Sequence, residues 1–388
     1  MERLHAVIIG GGITGGALAY DLALRGFEVT VVERGELTSG TTGRHHGLLH
    51  SGGRYVIQDK ASAMECIEEN KILRKIMPGT FEENDGLFVA ITGEDLEYSK
   101  IFLEGCAESG IPTRVLERDQ ALKAEPNLNP KLKLAVQVPD ATMDAMRMAL
   151  PFFAAAKEHG AKIRPFTEVT DIVTAAAAVT CVKVVDHTKG KSYELGADVV
   201  ISAAGPWSGK IAAMAGVNVP VKPSPGVMLA LRGRFCNMVI NRLAPPGNGD
   251  VIVPQRGLTI VGTTSWMVAD PDDLGLPKDH VNEMYIQGAE MIPLVKQAQF
   301  RAAWSAARPL IDAIQASGTN GRELSCTFKV FDHLDEGLDG FITVAGGKAT
   351  TARAMAEAAA DLVCEKVGVD VPCRTRHQLL PPYTDYYH

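Results

Sequence analysis

A chain of 388 residues, 46% hydrophobic and 22% charged, is long for a single core and has the composition of an ordinary soluble protein, so two joined domains are expected. A formal net charge of −7 without a long basic run argues against nucleic acid as the main partner, while local arginines still suffice for a small anionic substrate. Seven scattered cysteines form no CxxC pair, which speaks against a zinc or iron–sulfur site and a disulfide framework, and no apolar run reaches the ~18 residues of a spanning helix.

The strongest local signal comes first. Val7-Ile8-Ile9 reads as a short buried strand, Gly10-Gly11-Gly12-Ile13-Thr14-Gly15 as a glycine turn, residues 13–24 as a helix and residues 28–32 as a second strand ending on Glu33. In such a unit Gly10, Gly12 and Gly15 serve the tight turn, the approach of a pyrophosphate and the packing of helix on sheet. The helix N-terminus offers N–H groups and partial positive charge to phosphates. Glu33 follows Gly15 by about 18 residues, near the spacing of a ribose-binding carboxylate. Residues 1–33 therefore predict a dinucleotide site, for which NAD and FAD are both open, and they do not read as a signal peptide.

Residues 38–55 form a polar, glycine-rich stretch holding His45, His46, His50, Arg44 and Arg54, a composition suited to backbone that touches a ligand. A helix is expected over 60–77, ended by Pro78-Gly79, and a strand over 86–91. Asp144 is expected to cap a helix running to His159, with Gly160 just past its end. Residues 162–173, 180–186 and 198–203 read as strands, and 217–265 as a strand-rich region broken at 244–249. After a loop at 270–273, a helix from about His280 is expected to pack Met284, Tyr285, Met291 and Ile292 on a sheet. A strand over 340–345, a turn over 346–351 and a helix to about Val367 close the pattern. Nucleotide-binding features thus recur at the start, near 200 and near 345. The expected fold is α/β, a Rossmann-like dinucleotide-binding domain drawn from residues 1–75, 140–215 and 305–388, with an inserted antiparallel-sheet substrate domain drawn from 76–139 and 216–304.

With residues 41–55, Asn241-Arg242, Gly262-Thr263-Thr264, residues 304–310 and Gly346-Gly347-Lys348-Ala349-Thr350-Thr351-Ala352-Arg353, the chain resembles the FAD-dependent glycerol-3-phosphate dehydrogenases of the D-amino-acid-oxidase-like flavoprotein superfamily over nearly its whole length. Residues 41–55 are most similar to the catalytic subunit of the anaerobic, quinone-linked branch. The resemblance implies FAD, which is expected to be bound noncovalently although His45, His46 and His50 are each conceivable attachment sites. Gly10, Gly12, Gly15 and Glu33 would hold its adenosine diphosphate half, with Ile13, Thr14 and Arg34 beside them. Ser39, Thr42 and Arg44 would lie along the pyrophosphate and flavin, with Gly43, His45, His46 and Gly47 in the same segment. Val169 would touch the adenine region through its backbone, and Ala204 and Gly205 would pass close by. Gly346, Gly347, Lys348, Ala349 and Thr350 would open a helix whose N-terminus faces the flavin's pyrimidine edge.

Arg54, Arg308 and Lys348 match substrate-holding positions of that family, and Tyr55 is expected to hydrogen-bond the substrate. Three cations suit a phosphate of charge about −2. Arg353 is expected either to brace the cofactor or to pair structurally. The implied reaction oxidises sn-glycerol 3-phosphate to dihydroxyacetone phosphate. A hydride passes to flavin N5, His50 or His46 takes the hydroxyl proton, and a cation such as Arg54 stabilises alkoxide character. The aerobic branch commonly carries a histidine in the segment matching Gly226-Val227-Met228, and this chain has none there.

Long anaerobic-branch proteins also carry a cysteine-bearing C-terminal domain resembling an iron–sulfur module, whereas this chain stops soon after its last helix. Electrons are therefore expected to leave to quinone, to oxygen or through a partner. The tail 381–388 is expected to be packed or disordered rather than a docking segment. Two alternatives remain. The substrate could be a related polyol phosphate or a 2-hydroxy acid such as 2-hydroxyglutarate, which Arg54 and Arg308 would clamp as readily. The chain could instead be a catalytically idle flavin-binding component of a larger complex. The expected location is cytoplasmic, with peripheral contact at the inner membrane face open.

Overall fold

The apolar run at His5–Ile9 becomes the heart of a six-stranded sheet in the computed structural model, which describes residues 3–311 and 327–388. Cys326 lies outside the described residues. The strand order is Phe328–Asp332, Phe341–Gly346, Val199–Ser202, His5–Ile9, Glu28–Val32, Lys162–Arg164. The edge strand Phe328–Asp332 runs antiparallel to its neighbour, and the other pairs are parallel. A parallel sheet covered on both faces needs unbroken apolar strands, and these supply them. Ala6 and Ile8 face one core with the helices Ile13–Leu24, Leu150–Glu158 and Ala352–Val367. Val7 and Ile9 face another, under the three-stranded sheet of Thr167–Ala175, Ala178–Asp186 and Lys191–Gly196. The helix Ile13–Leu24 is buried almost all round, and a Cβ on Gly16 would lie 2.9 Å from the Phe153 ring, so only glycine admits that close packing.

An eight-stranded, mostly antiparallel sheet forms the second body, in the order Phe300–Ile311, Val221–Arg232, Leu258–Gly262, Val251–Gln255, Val239–Arg242, Gly86–Ala90, Leu134–Val138, Arg114–Glu117. A parallel pair joins Val239–Arg242 to Gly86–Ala90. The helix Lys278–Met291 covers one face: Met284, Met291 and Ile292 are buried there and Tyr285 is partly buried, as its spacing predicts. The α/β expectation with a second, largely antiparallel sheet therefore holds.

Two local expectations change. Asp144 does not start a helix. Its carboxylate accepts from the N–H groups of Met146 and Arg147 and closes a turn, and the helix begins at Leu150, with Pro151 in its first turn, where proline is tolerated. The expected strand over 162–173 breaks at Pro165-Phe166, where Phe166 has φ 54°, so Lys162–Arg164 ends one sheet and Thr167–Ala175 starts another. The tail is packed: the turn Tyr383–Tyr387 lies on Leu150–Glu158, and Lys157 donates to the Tyr386 carbonyl at 2.7 Å. Among the described residues no helix is long and apolar enough to cross a membrane.

Arg353 pairs structurally. It is fully buried and donates to Glu69 on the helix Lys60–Ile76, to Glu357 and to the Thr375 hydroxyl, so the last helix is fastened to the helix that follows the histidine-rich segment. Removing one partner of such a pair leaves a desolvated charge behind. We therefore expect Glu69→Ala to cost about 3–5 kcal/mol in denaturant unfolding. A loss below about 1 kcal/mol, the size of a surface pair, would contradict this account of the anchor.

Candidate active site

The two sheets are stitched together along residues 38–55. Thr41 Oγ1 donates to the Ala307 carbonyl at 2.8 Å, and Trp304 Nε1 donates to the Arg44 carbonyl at 2.7 Å, both on the strand Phe300–Ile311. Beside this seam lies a cavity of about 1540 Å³, larger than the roughly 300–1,000 Å³ of an ordinary small-molecule site. One end is the glycine turn. Gly10 has φ 120° and a Cβ on it would meet the Ala203 carbonyl oxygen at 2.6 Å, so the two strand ends approach in a way a side chain forbids. Gly12 caps the helix Ile13–Leu24 without a side-chain hydrogen bond, and Ile13 N–H donates to Thr42 Oγ1. The Glu33 carboxylate is fixed by the N–H groups of Gly11 at 2.7 Å and Gly35 at 2.8 Å. A glycine cradle, a helix N-terminus and an oriented carboxylate at the strand ends fit the adenosine diphosphate half of FAD.

The other end is positively charged. Arg54 follows Gly52, which has φ 100°, and places Nη2 at 2.9 and 3.0 Å from the two oxygens of Asp250. Arg308 donates to the carbonyls of Ser224 and Thr264 and to the Thr263 hydroxyl. Lys348 stands 4.7 Å above the Tyr55 ring. His45, His46 and His50 follow one another edge to face and Tyr55 is tilted against His50, with ring centroids 5.6–6.2 Å apart. Burial holds the imidazoles uncharged. It pushes His45 down to about 4 against the pull of Asp144, and pushes His46 and His50 well below the ordinary range, helped by neighbouring histidines and by Arg54 for both, Arg308 for His46 and Lys348 for His50. His45 Nδ1 accepts from Gly47 N–H at 2.9 Å, which fixes the tautomer with its proton on Nε2. Burial works against the Arg54 charge, but Asp250 outweighs it and its ionisation moves upward.

One cavity gathers nearly all the residues singled out in the sequence. Gly10, Gly12, Ile13, Thr14, Glu33, Arg34, Ser39, Thr42, Arg44, Val169, Ala204 and Gly205 line the nucleotide side, and His45, His46, His50, Arg54, Tyr55, Arg308 and residues 346–350 line the remainder. Gly15, Gly43 and Gly47 stand behind the wall. Cβ atoms there would strike the carbonyl oxygens of Gly10, Thr38 and Met143 respectively, so they serve the turn rather than the lining. Arg34 points at Asp272 and lies over the Trp207 ring. The second helix N-terminus is present too: the turn Ala349–Thr351 leads into Ala352–Val367, and Thr350 Oγ1 accepts from His50 N–H.

Sequence reading did not single out Asp250, Trp207, Lys210 or Asp272 for the site. Asp272 accepts from Arg34, Lys210 and Trp207 at 2.7–2.8 Å and carries the connection after Leu258–Gly262 across the cavity's nucleotide side. Only the run Asp270-Pro271-Asp272-Asp273 hinted at it, as a loop.

Comparisons agree with this geometry. Residues 5–362 match the family described as FAD dependent oxidoreductase. The chain is 42% identical to a subunit of the anaerobic glycerol-3-phosphate dehydrogenase of Haloferax volcanii, covering 98% of this chain and 67% of that protein. It is 40% identical to a subunit of the anaerobic glycerol-3-phosphate dehydrogenase of Escherichia coli, covering 98% of this chain and 70% of that protein. Among solved structures it resembles the glycerol-3-phosphate dehydrogenase of Bacillus halodurans complexed with FAD, with TM-score 0.75, 24% identity and coverage of 98% of this chain and 68% of that one. The L-α-glycerophosphate oxidase of Mycoplasma pneumoniae with FAD bound gives TM-score 0.75 at 19% identity, covering 98% of this chain and all of that one. At such identities the structural likeness is one of fold.

Two outcomes follow from these contacts. Asp272→Asn should release FAD faster than the parent, and added salt should speed release from the parent more than from the variant. Equal release rates at every salt concentration would remove Asp272 from cofactor retention. The depressed His45 makes a second prediction. The unfolded chain takes up this proton near pH 6.5 and the folded one only near 4, so the stability His45 contributes is present above about 6.5 and is lost as pH falls between these values. The stability difference between the parent and His45→Gln, from denaturant unfolding of the flavin-free proteins, should shrink over that window; a pH-independent difference would refute it.

Proposed function

The chain belongs to the family of FAD-dependent oxidoreductases, and on that premise we propose that it oxidises sn-glycerol 3-phosphate to dihydroxyacetone phosphate and passes the electrons to quinone or another acceptor. The observation that carries this reading is the convergence of Arg54, Arg308 and Lys348 on one cavity with His46 and His50. The anaerobic glycerol-3-phosphate dehydrogenases to which the chain is similar supply the substrate's identity. The six-stranded sheet and its helices are read as the cofactor-binding domain, and the eight-stranded sheet as the substrate domain. The reaction belongs, in this reading, on the cytoplasmic side, with quinone met at the inner membrane face.

FAD, when bound, supplies the acceptor for the hydride removed from the substrate carbon. Gly10, Gly12, Glu33, Ser39, Thr42, Arg44, Val169, Ala204 and Gly205 would hold it, with residues 346–350 presenting a helix N-terminus to the flavin. Arg54, Arg308 and Lys348 bind the phosphate, and Tyr55 lends a hydroxyl to the substrate. His50 and His46 are uncharged in the free protein and hence in the form that accepts a proton. A dianion seated among the three cations offsets the part of the depression that Arg54, Arg308 and Lys348 add to that of burial. Their proton affinity therefore rises as substrate binds, towards the range useful to a general base. The same cations stabilise negative charge on the substrate oxygen as its proton leaves.

Anaerobic mixing tests the substrate. Glycerol 3-phosphate should bleach the oxidised flavin band rapidly while 2-hydroxyglutarate leaves it, and bleaching by the hydroxy acid alone would overturn the reading. Arg308→Ala should raise KM for glycerol 3-phosphate by about tenfold or more while keeping its flavin. An unchanged KM would take Arg308 out of the phosphate pocket.

A further inference from the structure

The hairpin that supplies the strands Val251–Gln255 and Leu258–Gly262 begins at a loop, 244–250, which the reaction as described does not use. That loop is firmly held. Asn248 donates to both oxygens of Glu283 at 3.1 Å, Gly249 N–H donates to the Thr263 carbonyl at 3.3 Å, and Gly247 N–H donates to Asp250 Oδ2 at 2.7 Å. Its last residue, Asp250, is buried and meets Arg54 from the far side of the seam, 196 residues away in sequence. Both Asp250 oxygens engage Nη2. Nη1 lies outside that grip, 3.5 Å from Asn241 Oδ1. Asn241 is itself fixed, since its Nδ2 donates to Asp140, whose other oxygen accepts from Ser51 N–H. The guanidinium is thus held at one nitrogen and steered at the other, while Arg54 contributes to the cavity wall.

We propose that Asp250 is a positioning residue, which orients Arg54 so that its remaining N–H edge receives the substrate's phosphate. The proposal rests on the phosphate-pocket reading given above. Arg54 on its own segment has several rotamers open to it, and a buried cation without a counter-charge would turn towards whatever carbonyl lay nearest. A carboxylate fixed by its own loop removes that freedom before the substrate arrives, so the ordering cost does not weaken binding. The arrangement also ties the two arginines together. Asp250 precedes the strand Val251–Gln255, Thr263 follows the neighbouring strand Leu258–Gly262, and Val251 pairs with Gly262 in register. The residue that grips Arg54 and the hydroxyl that touches Arg308 therefore sit side by side on one hairpin, which sets the spacing of the two cations.

The test uses the purified flavin-loaded protein and four variants, Asp250→Ala, Asp250→Asn, Asp250→Glu and Arg54→Ala. Steady-state oxidation of glycerol 3-phosphate and competitive inhibition by inorganic phosphate are measured for each. Asp250→Ala should raise KM and the phosphate inhibition constant together, by about tenfold or more, with an unchanged flavin spectrum. Asp250→Glu should recover part of the loss, which a merely structural residue would not show. If Asp250→Ala loses its flavin or fails to fold, Asp250→Asn decides by the same criterion. KM and phosphate inhibition within about twofold of the parent, or a KM that falls, would overturn the proposal provided Arg54→Ala weakens both. If Arg54→Ala also leaves both unchanged, the phosphate-pocket reading fails and the proposal with it.

Discussion

Positive charge gathered on one cavity wall and partly withdrawn from water is the constraint on which the site depends. A desolvated cation costs several kcal/mol unless something answers it. Each of the three is answered differently: Arg54 by the Asp250 carboxylate, Arg308 by main-chain carbonyls and the Thr263 hydroxyl, Lys348 by the face of the Tyr55 ring. Burial keeps His46 and His50 unprotonated, and the same cations push in the same direction. The charge distribution that favours an anionic substrate thus adds to what burial does to the histidines.

That distribution exists because two differently built sheets meet. The parallel sheet ends its central strands on glycines and helix N-termini, which suits phosphates bound by main-chain N–H groups. The antiparallel sheet contributes long strands and a hairpin whose side chains reach across, Arg308 and Trp304 from one strand and Asp250 and Thr263 from the hairpin. Residues 38–55 run between them and carry the histidines, Arg54 and Tyr55. Fastening is layered: Thr41 and Trp304 along the seam, Arg353 with Glu69 behind it, and Asp272 with Arg34, Lys210 and Trp207 over the nucleotide side. Arg308 is held by a packed strand, and Arg54 and Lys348 by short turns tied to their surroundings, which gives the cations fixed separations, as recognition of a small rigid anion requires.

Much of this was legible along the chain, because its causes are local. The glycine turn at 10–15 forms where a Cβ would strike main-chain oxygen, and the apolar runs at His5–Ile9 and Val199–Ser202 form strands buried on both faces. Where local signals compete, tertiary context decides. Asp144 looks like a helix cap but spends its carboxylate on a turn, and residues 162–173 look like one strand although Phe166 reverses the backbone between two sheets.

By itself, then, the sequence determined the βαβ dinucleotide unit, the alternation of strands and helices, and the residue types gathered in the histidine-rich segment. These follow from steric and periodic preferences that act within a few residues. The tertiary structure alone decided that Arg54 answers to Asp250 and Asn241, that Arg353 is a buried brace, and that Asp272 crosses to Arg34. Each of these contacts joins residues more than 180 positions apart. A carboxylate in a loop looks the same in sequence whether it faces water or a buried guanidinium, and only the packing of the two sheets determines which charges lose their solvent and must find one another.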